Sequence, residues 1–420
     1  IAVDDTGVYA CGEVWGDLPG QTHGSGYSDA WVRKYDLDGT ELWTDEFGSL
    51  AGVDNAAGLC LYDNALYVFG HTHDGSGDYG STNAYLKKYD VIGNVMWTQV
   101  FDQPGYEYPY DVAADASGIY MGGCVDFAFA GETHEGAEDA YVRRCDLSGN
   151  EIWTMQFGGA NWDNVTNIAV HPSAVYVIGN TQNTLPGNTS AGLSDTYVAR
   201  IDRFGDIVWI RQFGSSLIDH GLDFAIEDLT LVVVGYVGSN LPGHAPLGGN
   251  DGFVRRYDLD GTELMTEIVG TTKHDKLTGL AASNEGLFVA GQTSGILPGE
   301  STAGGDDAFL MKYQDYIQRG ESVEVTRIDN FPFIGSFSAS ATADALSIID
   351  ESDEANNTAS FNYSVSDWDS DDDGVPDPED LCPFESALNF DSNGDGCIDE
   401  GAGGRHVEYW QRPDFPITYY

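Results

Sequence analysis

The sequence of 420 residues predicts an all-β protein, most of it a β-propeller, on three observations. A unit of about 56 residues recurs six times along the chain. Each unit contains short stretches in which apolar and charged residues alternate, as in strands with one buried face. The composition, with 53 Gly, 23 Tyr and 19 Phe, suits short strands joined by tight turns.

Three anchors keep a single register through the repeat. An Asp or Asn opens an alternating strand, a Gly ends an apolar strand, and a Trp, replaced once by Met, lies in a last strand. The anchors are Asp29, Asn83, Asp139, Asp195, Asp251 and Asp307; Gly12, Gly70, Gly123, Gly179, Gly235 and Gly291; and Trp43, Trp97, Trp153, Trp209 and Met265. Because three independent series agree, the repeat is a strong signal.

Each copy is interpreted as four short strands. In the fourth copy they are predicted at 168–170, 175–179, 195–202 and 207–213. Motifs such as DLDGT (36–40) predict hairpin turns in which Gly provides a positive φ. A four-stranded unit cannot bury both of its faces alone. Stacked copies that close into a ring would cover these faces and leave few exposed edges.

The repeat resembles the bacterial seven-bladed β-propeller repeat, over residues 1–313. The resemblance is carried by GNTQNTLPG (179–187), GQTSGILPG (291–299), DGFVRRYDLDG (251–261) and IWTMQFGG (152–159). It implies an extracellular or surface-attached protein, and the repeat itself implies no catalytic chemistry. Only five Trp-type strands accompany the six copies. Either a strand such as 321–328 closes the ring or a blade is missing, so both six and seven blades are considered.

The charge of the chain excludes two classes of partner. It has 68 acidic and 18 basic residues, a net charge of −50. This charge would repel nucleic acid and anionic membrane surfaces. No stretch approaches the ~20 apolar residues of a membrane span. The chain has no initiator Met or signal peptide and begins inside a repeat, so we expect a processed or partial chain.

Six cysteines are too few for a disulfide scaffold in a chain of this length. Cys11, Cys60 and Cys145 occupy positions that are apolar in the sister repeats, so we expect small buried hydrophobes, with a bridge among them as the alternative. The bonding state of Cys124 is equally undetermined. Candidate glycosylation sites of a secreted chain are Asn164, Asn188, Asn356 and Asn362.

After the propeller, residues 314–366 predict a small immunoglobulin-like β-sandwich. This segment resembles the second half of the bacterial cell-adhesion-related domain CARDB, through Glu351, Ser352, Glu354, Asn356 and Asn357. The first half of that domain is absent, so the sandwich would keep an unpaired edge. The propeller flank, the chain's own tail or a strand from a neighbouring molecule could fill it.

Residues 367–403 carry oxygen ligands at calcium-loop spacing. Ca²⁺ takes about six to eight oxygens, and alternate residues of a loop around the ion point inward. The first loop offers Asp369, Asp371, Asp373, the carbonyl of Val375, Asp377 and Asp380, and the second offers Asp391, Asn393, Asp395, the carbonyl of Cys397 and Asp399. We expect a Cys382–Cys397 disulfide beside them. The segment resembles thrombospondin type 3 repeats, which implies structural Ca²⁺; a disordered acidic linker is the alternative.

The last segment, 404–420, is an aromatic tail. Its apolar density is too high for a free tail in water, so we expect it to be buried, either within the molecule or against another subunit. The candidate assembly residues are Tyr409, Trp410, Phe415, Ile417, Tyr419 and Tyr420.

No catalytic motif stands out in the sequence. There is no Ser elbow, phosphate-binding Gly loop or catalytic acid pair, and His23, His71, His73 and His134 are interpreted as loop histidines because no partner lies at zinc spacing. We therefore predict a non-enzymatic structural protein of the cell surface, a filament subunit or adhesin. Its partners would be copies of itself, other surface proteins or glycans. The alternatives are a glycan- or protein-binding propeller and, less favoured, a secreted enzyme acting on polysaccharide.

Overall fold

The computed structural model describes residues 1–21, 28–49, 52–73, 82–227, 229–283, 286–297 and 305–313, together with four strands further along the chain. The chain divides into two compact units, Ile1–Asp315 and Tyr316–Tyr420. All of the regular elements in the described residues are β-strands. The predicted all-β class is confirmed.

The first unit is a propeller of six blades, numbered here in chain order. Blades 1 to 5 are four-stranded antiparallel sheets, and blade 6 shows three strands in its described part. Blade 1 contains β1 (Ala2–Asp4), β2 (Gly7–Val14), β3 (Asp29–Tyr35) and β4 (Glu41–Phe47); blade 2, β5 (Asn55–Tyr62), β6 (Ala65–His73), β7 (Thr82–Asp90) and β8 (Val95–Phe101); blade 3, β9 (Glu107–Asp115), β10 (Gly118–Val125), β11 (Asp139–Cys145) and β12 (Glu151–Phe157). Blade 4 contains β13 (Asp163–His171), β14 (Ala174–Thr181), β15 (Asp195–Ile201) and β16 (Ile207–Phe213); blade 5, β17 (His220–Glu227), β18 (Thr230–Val237), β19 (Asp251–Asp258) and β20 (Glu263–Val269); blade 6, β21 (Asp275–Ser283), β22 (Gly286–Thr293) and β23 (Asp307–Tyr313).

The first strand of each blade lies nearest the axis. First strands of neighbouring blades contact one another, whereas the later strands extend outward in chain order. In blades 2 to 6 each first strand contains a β-bulge, in which one extra residue faces the second strand. The extra residues are Ala57, Tyr110, Thr166, Leu222 and Thr278. Because a bulge bends its strand and changes the direction of its side chains, it shapes the part of each of these blades that lies nearest the axis.

The Trp anchor of one copy and a turn glycine of the next copy meet at the junctions between blades. The turn between the third and fourth strands of one blade packs on the Trp of the preceding blade, as at Trp43–Gly93, Trp97–Gly149, Trp153–Gly205 and Trp209–Gly261. At Gly205 the indole N–H of Trp153 also donates to the carbonyl of Arg203, at 3.1 Å. The ring therefore needs a turn residue with no side chain, and the positive φ of +98° at Gly205 needs glycine as well.

Blade 6 keeps one face uncovered. The residue three positions after the Asp or Asn anchor of the third strand is fully buried in blades 1 to 5, at Val32, Leu86, Val142, Val198 and Val254. Its counterpart in blade 6, Leu310, is 73% exposed. On blade 1, the turn glycine Gly39 has no atom of another residue near the place where a Cβ would be, so no preceding tryptophan packs on it. The described residues form six blades, and among them the face of blade 6 at Leu310 is left uncovered.

The second unit shows two strand pairs in its described part. Strand β24 (Val325–Thr326) pairs antiparallel with β27 (Pro416–Ile417), and β25 (Gly335–Thr342) pairs with β26 (Thr358–Val365). The stretch considered above for closing the ring therefore supplies β24, which pairs with the C-terminal tail. The rest of the predicted sandwich, the calcium loops and most of the tail lie outside the described residues.

Candidate functional site: the axial mouth

One position of the repeat changes its chemistry from blade to blade while its surroundings stay constant. It is the residue after the Gly anchor of each second strand, and we call the six residues the mouth ring: Glu13, His71, Cys124, Asn180, Tyr236 and Gln292. The preceding glycine has a structural cause. A Cβ at Gly179 would overlap the carbonyl oxygen of Asn164 and lie 2.5 Å from the Tyr197 hydroxyl. Since the fold dictates that glycine and leaves its neighbour free, the mouth ring is a candidate binding surface.

A second row of polar residues faces the mouth ring across the sheet. In blades 2 to 6 the first strand places one residue directly opposite each ring member: Asn55, Tyr108, Asn164, His220 and Lys276. The ring also reaches the neighbouring blade, because the Asn180 side-chain oxygen accepts a hydrogen bond from the Gly221 backbone at 2.9 Å. The two rows together form the axial mouth of the propeller.

A cavity of about 440 Å³ opens in the mouth between blades 1, 2 and 3. Its lining includes Glu13, Asn55, His71, Tyr108 and Tyr110. Burial lowers the pKa of His71, against the opposing effect of the nearby carboxylates, so a neutral imidazole is expected at pH 7. Burial also raises the pKa of Tyr108 to about 12, which keeps its hydroxyl protonated. This cavity offers neutral hydrogen-bonding groups and one acid.

Cys124 of the mouth ring is a buried thiol. Its Sγ donates to Glu138 Oε2 at 3.1 Å, and it lies 4.0 Å from the Tyr110 hydroxyl. Burial, followed by the charge of Glu138, raises its pKa well above the ordinary value, so the thiolate needed for nucleophilic attack is disfavoured. Four cysteines are free in the described residues: Cys11, Cys60, Cys124 and Cys145. The expectation of buried small residues fits Cys145 best, since it is fully buried.

A second cavity, of about 330 Å³, lies between blades 5 and 6. It is lined by Asn250, His274, Lys276, Gln292, Ser294 and Asp306. Lys276 Nζ stands 4.6 Å from the ring centre of Tyr236, and the Tyr236 hydroxyl is 3.2 Å from His220 Nδ1. Ser294 Oγ donates to Asp306 Oδ1 at 2.5 Å. Donors and acceptors therefore surround this cavity.

Exposed aromatic side chains lie at the same end of the propeller. Trp15 directly follows β2 and is 71% exposed, and Trp162 directly precedes β13 and is 56% exposed. Tyr106 stacks on Tyr108 with ring centres 5.9 Å apart. Large exposed aromatic surfaces beside polar cavities are typical of ligand-binding faces.

The structure places only some of the predicted site residues. All of the calcium ligands, Cys382, Cys397 and Asn356 lie outside the described residues, as do the candidate assembly residues except Ile417, which belongs to β27. Asn362 is placed on β26. Among the described residues, no group of three or more His, Cys, Asp or Glu side chains is arranged to hold a metal ion.

Two candidate glycosylation sites have engaged amides. The Asn164 side-chain oxygen accepts from the Asn180 backbone, and Asn188 accepts from the Gln212 backbone and donates to the carbonyl of Pro186. His71, interpreted above as a loop residue, lies within β6 and belongs to the mouth ring. The sequence reasoning missed this ring, although comparing the residues after each Gly anchor would have found it.

The chain was compared with known proteins. No protein-family model matches it. It is 26% identical over 360 residues to "Regulatory protein FlaEY" of Caulobacter vibrioides, an alignment that covers 73% of this chain and 37% of that protein. The chain thus spans little more than a third of this relative.

Solved structures resemble the chain only distantly. A subtype N10 neuraminidase-like protein of A/little yellow-shouldered bat/Guatemala/060/2010 matches 63% of this chain and 82% of its own, at 8% identity and a TM-score of 0.37. An apocarotenoid oxygenase mutant of Synechocystis matches 63% of each chain, at 10% identity and a TM-score of 0.36. Such similarity carries no argument about activity. In the described part of the chain, we find no helix long and apolar enough to cross a membrane.

Proposed function

We propose that this chain is a non-catalytic extracellular binding protein whose propeller holds a polyhydroxylated ligand, a glycan, at the axial mouth. The observation that carries the proposal is the mouth ring, in which a constant backbone carries six different side chains, of which Glu13, His71, Tyr236 and Gln292 are at least partly exposed. Pockets that combine aromatic surface with a few directed polar groups are the usual form of small-molecule sites. Trp15 and Trp162 would pack against sugar rings, and the ring residues would bond the hydroxyls.

The absence of catalysis is part of this proposal. The two cavities each have one acid in their lining, Glu13 between blades 1, 2 and 3 and Asp306 between blades 5 and 6. Nearer the axis, burial raises the pKa of Asp111 to about 7 and that of Asp223 to about 6, and both carboxylates already accept hydrogen bonds from backbone N–H groups. General acid–base hydrolysis of a glycoside uses two carboxyl groups on either side of one bond. The protonated thiol of Cys124 is likewise a poor nucleophile. These features favour recognition over turnover.

The test is binding of a panel of oligosaccharides by the full chain, followed by nuclear magnetic resonance or calorimetry. We expect saturable binding that weakens about tenfold, near 1.4 kcal/mol, in Trp15→Ala and in His71→Ala. Phe204→Ala is the control, because Phe204 is 84% exposed and lies in the turn before β16, away from the mouth. Equal affinities in the mouth variants and the control, or no glycan bound at all, would refute the proposal.

A second candidate, a surface filament subunit or adhesin, is favoured by the pairing of β24 with β27. A tail strand that pairs within its own chain can also be supplied by a neighbouring molecule, as in strand-addition assemblies. Structural Ca²⁺ at residues 367–403 would hold this region together. Light scattering of the full chain and of a chain ending at Gly404, each with Ca²⁺ and with chelator, tests it. We expect calcium-dependent oligomers of the full chain only; monomers throughout would exclude assembly.

A further inference from the structure

We infer that the cavity between blades 5 and 6 recognises a carboxylate group, so that the ligand at the mouth includes an acidic sugar of the uronic acid class. The inference rests on the proposed function, since it names the chemistry recognised within the same mouth. It starts from the placement of one cation, Lys276. The residues at the same position on four other first strands carry no charge near pH 7: Asn55, Tyr108, Asn164 and His220.

Lys276 is a half-buried ammonium whose hydrogen-bonding capacity is unused. Within the described part of the chain it takes part in neither an ion pair nor a hydrogen bond, although the chain has 68 acidic residues. Some other shielded cations are paired with acids, as Lys87 with Asp45 at 2.9 Å and Arg203 with Asp115 at 2.6 Å, whereas Lys88 lies 4.9 Å over the Tyr67 ring much as Lys276 lies over Tyr236. The Tyr236 ring below Lys276 stabilises its charge but leaves the three N–H donors available. An ammonium held in this way is suited to an anionic ligand group.

The groups that line the cavity with Lys276 include a single acid, Asp306. Burial, and then the charge of Lys276, lowers the pKa of His220, so this histidine adds no second charge near neutral pH. His274 Nδ1 accepts a hydrogen bond from the Asn250 backbone at 3.0 Å, which places the imidazole proton on Nε2 as a donor. Asp306 is engaged by Ser294 and offers an acceptor for a hydroxyl. One carboxylate and several hydroxyls of a ligand therefore find matching partners.

The overall charge of −50 limits how many anionic groups the ligand can carry. At physiological ionic strength charges further apart than about 8 Å are largely screened, so an anion bound at Lys276 responds mainly to its immediate neighbours. A polyanion would extend over the acidic surface and be repelled. The site therefore suits a single acidic sugar within an otherwise neutral ligand.

The experiment compares glucuronate with glucose on the full chain, by nuclear magnetic resonance titration. The two sugars share the ring and differ at one carbon, which carries a carboxylate or a hydroxymethyl group. We expect glucuronate to bind at least about tenfold more tightly, since a close charge pair contributes on this scale. Lys276→Gln should bring the ratio of the glucuronate and glucose affinities near one. Lys273→Gln, which removes an exposed lysine three residues earlier, should leave this ratio unchanged.

Circular dichroism and thermal melting establish that both variants fold. Equal binding of the two sugars by the parent chain, or a preference for glucuronate that survives Lys276→Gln, would overturn the inference. If neutral glycans bind at the mouth and glucuronate has no advantage, only this inference fails. If neither acidic nor neutral sugars bind, the proposed function fails with it.

Discussion

At the scale of single residues, buried aspartates organise the mouth end of each blade. Asp139, at the start of β11, accepts hydrogen bonds from the Glu135 backbone and from Gln156 Nε2 on β12. Asp163, at the start of the next blade, lies across Gly158 from it. A Cβ at Gly158 would lie 2.7 Å from Asp163 Oδ2 and 3.1 Å from Asp139 Oδ1. The aspartate anchor of the repeat thus has a packing cause.

Asp163 predicts a pH dependence of stability. Burial, and then the charge of Asp139, raises its pKa to about 6 from an ordinary value of 3.8. Between these values the folded chain holds a proton that the unfolded chain has released, so the stability from this group is complete below pH 4 and is lost as the pH rises through 6. This group adds up to one proton, about 1.4 kcal/mol per pH unit, to the slope of the unfolding free energy against pH. We expect Asp163→Asn to remove that contribution. Urea unfolding at pH 4 to 7 measures it, and parallel profiles of variant and parent would contradict it.

At the scale of elements, identical turns experience different surroundings. The pentapeptide DLDGT occurs at 36–40 and at 258–262, with φ of +84° at Gly39 and +81° at Gly261. In both turns the backbone N–H of the glycine donates to the carbonyl of the first Asp. Only Gly261 faces a tryptophan, since a Cβ there would lie 2.8 Å from the Trp209 ring. The local sequence predicts the turn, but the neighbouring blade decides how much space it has.

This pair of turns makes a matched prediction. Gly39→Ala should cost only the strain of a positive φ, about 1–2 kcal/mol. Gly261→Ala should cost the same strain and a further ~1–3 kcal/mol, because the methyl group overlaps Trp209. The midpoints of urea unfolding measure the difference. If the two variants are equally stable, the tryptophan does not constrain the turn.

At the scale of the whole molecule, the described propeller is a row of blades whose apolar faces are covered, except for that of blade 6. Each junction buries the apolar face of one blade under the next. The hydrophobic effect stabilises the folded chain in proportion to the apolar area that is covered. Leu86 of blade 2 is completely buried in this way, and Leu310, at the equivalent place in blade 6, is not. The same residue type at the same register therefore contributes very differently to stability.

The two leucines test the uncovered face of blade 6 directly. We expect Leu86→Ala to lower the free energy of unfolding by about 2–5 kcal/mol, through lost burial and a cavity. Leu310→Ala should change it by no more than about 0.5 kcal/mol, as at other exposed positions. Denaturant unfolding of both variants compares them. A large loss in Leu310→Ala would mean that the face of blade 6 is covered in solution.

Much of the fold was predictable because it depends on short-range patterns. Alternating residues, turn glycines and a constant period each arise within one copy, and they predicted four-stranded units stacked as a propeller. The strands of the fourth copy lie where they were expected, with longer first and second strands. The blade count was predictable only as six or seven, because closure depends on contacts between the ends of the ring.

The candidate site was harder to predict, since its members are far apart in the chain. Lys276 lies 40 residues after Tyr236 in the sequence, and the packing of blade 6 on blade 5 places its ammonium above that ring. His71 looked like a strand-exit residue until β6 placed it opposite Asn55 on the mouth. The sequence by itself determined the repeat, the strands and their turns, because these follow from local sterics and periodic burial. Only the tertiary structure decided which side chains meet at the mouth and which blade face is uncovered in the described residues, because the angles between blades set those distances.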